Sequence, residues 1–159
     1  MVGYGRALHR ENEILKTIRA FADAGLNFIV VGGYAVSGLG RHRFSVELDV
    51  IVDEKDLDTF TKILKESVFE QHAEGAGFDE ANGGRFVSYI KRIDGLPATV
   101  DLLVGSLVCR ATNASWSYEY IRRHSIATEV SGIELSVKCR VPERELLIAI
   151  KIHSGRRAD

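Results

Sequence analysis

Cysteine, proline, methionine and tryptophan are scarce in this chain of 159 residues, with two, two, one and one copies respectively. Cysteines at 109 and 139 are too few and too far apart for a disulfide framework or a cysteine-rich zinc site, and they read as small half-buried thiols. The five histidines follow no ligand spacing such as HExxH, which argues against a transition-metal centre. So little proline, with no low-complexity tract, argues against disorder. No apolar run approaches the roughly 20 residues that a membrane span needs. The opening MVGYGRALHRENEILK carries charges where a signal peptide needs an apolar stretch, so a cytoplasmic location without membrane contact is expected. Asn113-Ala114-Ser115 fits a glycosylation acceptor, but with no secretion signal it reads as a chance match. The net charge of −1 creates no global field for nucleic acid, which makes long single-stranded nucleic acid the least natural partner.

What is present is ordinary for a globular protein: 45% hydrophobic and 27% charged residues, enough for one domain with a real core. Apolar residues at Ile14, Leu15, Ile18 and Phe21 predict an amphipathic helix from about Arg10 to Ala24, ended by Ala24-Gly25. The β-branched run 27–31 predicts a buried strand, broken by Gly32-Gly33 and followed by a short helix in YAVSGLG. Strict alternation in SVELDVIVD predicts a strand over Ser45–Asp53, with Val46, Leu48, Val50 and Val52 on one face and Glu47 and Asp49 on the other. A helix over Glu54–Ser67 follows, with Asp53 as its N-cap, and then a glycine-rich loop over Gly75–Gly84. Strands at Arg85–Ile93 and Ala98–Val104 flank an Asp94-Gly95 turn. Further on, the pattern predicts a helix over Ser115–His124 and a hairpin of Thr128–Val130 with Ile133–Lys138. Pro142 is expected to open a closing helix. The order predicts an α+β domain with a mixed sheet flanked by helices.

The stretch VVGGYAVSGLGRHRFSVELDVIV carries the chemistry. Gly32 and Gly33 allow backbone N–H groups to approach a phosphate closely. Glu47 and Asp49 point the same way from one strand, so their oxygens can share a hard divalent cation such as Mg²⁺. Asp101 lies in the apolar strand TVDLLVG, where a carboxylate is costly without a metal or a cation beside it. If the two strands are neighbours, three acids converge as in a two-metal phosphoryl-transfer site, with positive side chains to neutralise a leaving pyrophosphate. Basic residues flank these features: Arg41, His42 and Arg43 before the acids, and Lys151, His153, Arg156 and Arg157 at the C-terminus. Simpler roles compete with each feature. The acids could form a solvated strand face, Asp101 could pair with Arg43 or Lys91, and Trp116, Tyr118 and Tyr120 read as core or subunit contacts.

A strand ending in Gly-Gly, then acid-x-acid on the next strand, resembles the signature of the nucleotidyltransferase superfamily that includes DNA polymerase β. The fuller run Arg43-Phe44-Ser45-Val46-Glu47-Leu48-Asp49, with the tail Leu147–Lys151 and then Arg156, resembles the branch of abortive-infection and toxin–antitoxin nucleotidyltransferases. The resemblance implies a nucleotidyltransferase-like fold and transfer of an NMP from an NTP, ATP first, to a hydroxyl on a protein, a tRNA end or a small molecule. It implies Mg²⁺, with Mn²⁺ as the alternative, on Glu47, Asp49 and Asp101. Gly32, Gly33, Arg43, Ser45, Lys151 and Arg156 would then serve the nucleotide and its phosphates. The branch's closing helix runs further than this chain does, so a single domain cut short after Asp159 is expected. Glu47 stands where the family usually has aspartate, and its extra methylene shifts oxygens that octahedral Mg²⁺ wants closely placed. That departure supports the rival reading, a non-catalytic nucleotide- or partner-binding module with a weakened metal site. A homo-oligomer or a partner protein fits either reading.

Overall fold

Every residue of Phe28–Val31 is buried, as its unbroken apolar run requires, and this short strand (β1) lies inside a seven-stranded mixed sheet. The computed structural model describes residues 2–40, 45–76, 79 and 81–154. A long helix precedes β1 (α1, Val2–Asp23) and a short one follows it (α2, Gly33–Gly38). Next come β2 (Glu47–Val52), a 3₁₀ turn at Glu54–Asp56 and α3 (Leu57–Glu66). Three strands follow: β3 (Glu70–Ala76), β4 (Arg85–Ile93) and β5 (Leu96–Val104). A small hairpin of β6 (Ser106–Cys109) and β7 (Ala114–Ser117) leads into α4 (Tyr118–Arg123). The chain then forms β8 (Ser125–Ser131), β9 (Ser136–Pro142) and α5 (Arg144–Ser154). This is the expected α+β class, a mixed sheet flanked by helices.

Strand order across the sheet is β3-β4-β5-β2-β1-β9-β8. The β2–β5 and β1–β9 neighbours are parallel, and the other neighbours are antiparallel. Alternation then sorts the side chains onto two faces. Leu48, Val50 and Val52 of β2, with Val100, Leu102 and Val104 of β5, pack beneath α1 and α3 against Ile18, Phe21, Phe60 and Leu64. Phe21 and Phe60 meet edge to face with ring centroids 4.9 Å apart. The opposite face carries Ile29, Val31 and Ile51, covered by α4, α5 and the β6–β7 hairpin through residues such as Ile121, Leu146 and Ile150. Both candidate acids of β2 point to this second face, at the end where its apolar cover stops. The described residues contain no helix long and apolar enough to cross a membrane.

Four expectations are corrected. Helix α1 starts eight residues before Arg10, because Arg6 and His9 on its first turns bond to the carbonyl and carboxylate of Asp94 at 2.9 and 2.7 Å. Strand β3 occupies part of the ground expected to be loop; it is an edge strand, almost wholly exposed, and so shows no apolar alternation. Residues from Ser115 begin as strand, and helix starts only at Tyr118, where the Ser117 hydroxyl accepts the N–H of Tyr120 at 3.1 Å. Pro142 does not open the last helix but ends β9, opposite Ser125. Asp53 caps as expected, accepting the N–H of Lys55 at 3.1 Å, although the segment it caps is the 3₁₀ turn before α3.

Candidate active site

Register across β1, β2 and β5 builds the site. Asp49 lies opposite Val31 on β1 and opposite Asp101 on β5, and Glu47 starts β2 on the same face. One carboxylate oxygen from each of Glu47, Asp49 and Asp101 lies within 4.8 Å of the other two. Among the described residues, these three are the acids grouped so that they could hold a cation. Glu47 is exposed, whereas Asp49 and Asp101 are half-buried. The longer Glu47 side chain therefore still reaches the common point, from the exposed edge of the cluster.

Asp101 is held from the neighbouring strand. Ser88 faces it across β4–β5 and donates its hydroxyl to Asp101 Oδ1, although Ser88 itself is buried. Lys91, one of the partners considered for Asp101, instead faces α1 and pairs with Glu13 at 3.7 Å. A buried Tyr34 from α2 donates its hydroxyl to the carbonyl of Ser45 at 2.9 Å, and burial pushes its pKa well above the usual phenol range. Ser45 in turn donates its hydroxyl to the carbonyl of Glu47 at 3.0 Å. Tyr34 and Ser45 thereby fix the entry of β2, the strand that carries two of the acids.

The glycine turn touches the acids directly. Gly32 has φ +71° and ψ −150°, a conformation reserved for glycine, and a Cβ there would lie 2.7 Å from Asp49 Oδ2. Gly33 is the first residue of α2. Beside the turn opens a cavity of about 300 Å³ bounded by Gly32, Asp49 and Lys151, with Leu107 and Cys109 of β6 and Ile150 of α5 among its apolar walls. The structure thus gathers Gly32, Asp49 and Lys151 around one space, with Glu47 and Asp101 next to Asp49. Arg43 and Arg156, along with Arg41, His42 and Arg157, lie outside the described residues.

Sequence reasoning missed two residues here. Ser88 gave no signal, because its meaning depends on the β4–β5 register. Arg110, in the turn of the unexpected β6–β7 hairpin, lines the same cavity as Asp49 and Lys151. The aromatic residues serve mainly packing: Tyr118 is buried, Trp116 meets His153 edge-on at 5.7 Å, and Tyr120 lies against His124 at 4.3 Å. Burial pushes the Cys109 thiol up and the Cys139 thiol up to about 12, which suits inert core thiols.

No protein-family model matches the chain, and no curated protein matches it in sequence. Solved structures do resemble it. TM1012 from Thermotoga maritima, a protein assigned as a nucleotidyltransferase, superposes with TM-score 0.56 at 16% identity, covering 91% of this chain and 86% of that one. The lincosamide antibiotic adenylyltransferase LnuA, solved with lincomycin bound, gives TM-score 0.56 at 12% identity, covering 94% of this chain and 87% of that one. JHP933 from Helicobacter pylori gives TM-score 0.52 at 19% identity, with 92% of this chain covering 56% of that one. At these identities the likeness establishes the fold alone: a mixed sheet flanked by helices, arranged as in these structures.

Proposed function

We propose that this chain transfers an NMP from an NTP, ATP first, to a hydroxyl acceptor. The reading rests on the three carboxylates whose oxygens meet within 4.8 Å beside the Gly32 turn. Hard oxygen donors on a partly open sheet face suit Mg²⁺, with Mn²⁺ as the alternative, and leave room for substrate oxygens. Glu47, Asp49 and Asp101 would hold the metal, which when bound supplies Lewis acidity to the phosphates and lowers the pKa of an acceptor hydroxyl. Asp101, oriented by Ser88, would also draw the proton from that hydroxyl. Backbone N–H groups of Gly32 and Gly33 would cradle the triphosphate. Lys151 on the cavity wall would balance the charge growing on pyrophosphate, with Arg43, Ser45 and Arg156 as further phosphate contacts.

The acceptor hydroxyl belongs to a small molecule, a protein or a tRNA end. LnuA, which shares the fold, acts on a small antibiotic, and a cavity of about 300 Å³ next to Asp49 suits an acceptor or nucleoside of modest size. A toxin–antitoxin component whose role is to bind a partner protein fits the rival, non-catalytic reading. Pyrophosphate release from each of the four NTPs tests the proposal, with total tRNA, hydroxylated antibiotics and the protein itself as acceptors. Release with Mg²⁺ or Mn²⁺, abolished by EDTA and restored by added metal, is the expected result. ATP binding that ignores metal, with no pyrophosphate from any NTP, would establish the non-catalytic module that Glu47 favours.

Ser88 gives a graded test. Ser88→Ala removes the hydroxyl that sets Asp101 without touching the three carboxylates. The Mg²⁺ concentration for half-maximal turnover should rise roughly 10-fold, a typical cost of losing a hydrogen bond to a metal ligand. A metal titration indistinguishable from that of the wild type would remove Ser88 from the site.

A further inference from the structure

The β6–β7 hairpin is fastened on several sides. At its base, Gly105 donates its N–H to the carbonyl of Val52 at 2.9 Å and accepts that of Tyr118 at 2.8 Å. On one flank the buried Asp79 accepts hydroxyl hydrogen bonds from Ser106 and Ser115, the second at 2.8 Å. Burial pushes the Asp79 carboxyl up, but these hydroxyls and the N–H groups of Asn82 and Ala81 outweigh it and hold the pKa below the usual range. Along α5, the Thr112 hydroxyl bonds to His153 Nδ1 at 2.9 Å, and Cys109 Sγ reaches the Ile150 carbonyl at 3.7 Å. The turn between the strands is therefore fixed against the rest of the domain.

Arg110 opens that turn and lines the cavity with Gly32, Asp49 and Lys151. It also borders a smaller space of about 150 Å³ that shares Leu103, Leu107 and Val108 with the first. Arg85 lines this second space but not the first, and it pairs with Glu54 at 2.7 Å. Among the residues that line them, Arg110 is thus the cation common to both spaces. We infer that Arg110 is a polyphosphate ligand, delivered to the cavity by the braced hairpin. Its planar fork of N–H donors matches phosphate oxygens in a way that the single ammonium of Lys151 does not. Arg110 and Lys151 each already make an interaction within the chain, so a bound polyphosphate exchanges contacts with them.

This inference rests on the nucleotide reading above, and calorimetry on the full chain separates the two. Wild-type protein should bind Mg²⁺–ATP at least ~10-fold more tightly than AMP, because the added phosphates gain charge-assisted hydrogen bonds. Arg110→Ala should weaken ATP ~10-fold or more while leaving AMP within about twofold, and Arg110→Lys should recover part of the loss. An Arg110→Ala protein that binds ATP as the wild type does overturns the assignment and leaves the nucleotide reading standing. So does equal weakening of ATP and AMP, which marks a structural lesion. Wild-type protein that binds neither nucleotide overturns both.

Discussion

Asp49→Ala should lower pyrophosphate release by about 10³-fold or more, because the variant loses a central oxygen donor worth several kcal/mol of transition-state charge stabilisation. Asp49 is opposite Asp101 in the sheet, shares the common point with Glu47, and is the acid against which Gly32 closes. The fold should survive. Asp49 is half-buried on a face whose apolar packing comes from Ile29, Val31, Ile51 and their cover, not from the carboxylate. Asp49 also makes an interaction within the chain, so its loss and the relief of repulsion among the acids act in opposite directions and the thermal midpoint should move little. The informative pairing is therefore activity against melting temperature, with and without Mg²⁺. Wild-type protein should gain stability from the ion and Asp49→Ala should not. Unchanged turnover in the variant would remove Asp49 from the mechanism.

The central part of this arrangement was legible because burial writes itself into sequence. Val46 to Val52 alternate, so Glu47 and Asp49 had to share a face, and the fully apolar 28–31 had to be an inner strand. The meeting of Asp101 with Asp49 depended on which strands pair, a non-local fact that alternation cannot supply. The parallel β2–β5 pairing provides it. Other elements stayed hidden for physical reasons. Strand β3 is nearly all exposed, so its polar sequence is what an edge strand shows to water. The first turns of α1 contain Gly3 and Gly5 and are held by contacts to Asp94, which local helix propensity does not register. The β6–β7 hairpin draws its stability from Asp79, His153 and, through Gly105 at its base, Val52, all distant in sequence. Arg110 could be found only after those contacts had placed the turn.

Gly32→Ala should damage the site out of proportion to its size. Alanine at φ +71° and ψ −150° enters a region essentially closed to residues with a Cβ, at a cost of roughly 1–3 kcal/mol. Its methyl group would also sit 2.7 Å from Asp49 Oδ2 and 3.6 Å from Asp49 Cβ and Cγ. The atom in closest conflict is the tip of a side chain, so the chain can still fold by moving that carboxylate. The movement is what matters. A shift near 1 Å at a reacting centre can cost about 10²-fold in rate, and turnover in Gly32→Ala should fall by that order. Gly38→Ala provides the control. Its Cβ would press on Thr128 Cγ2 and Val141 Cγ1 at 3.1 Å, a milder packing conflict next to β8 and β9 instead of the acids. Gly32→Ala should lose stability, need more Mg²⁺ and turn over slowly, whereas Gly38→Ala should keep the turnover and Mg²⁺ requirement of the wild type whatever its stability. If the two lose activity in proportion to stability alone, the turn at Gly32 is a structural corner, and the contact with Asp49 carries no function.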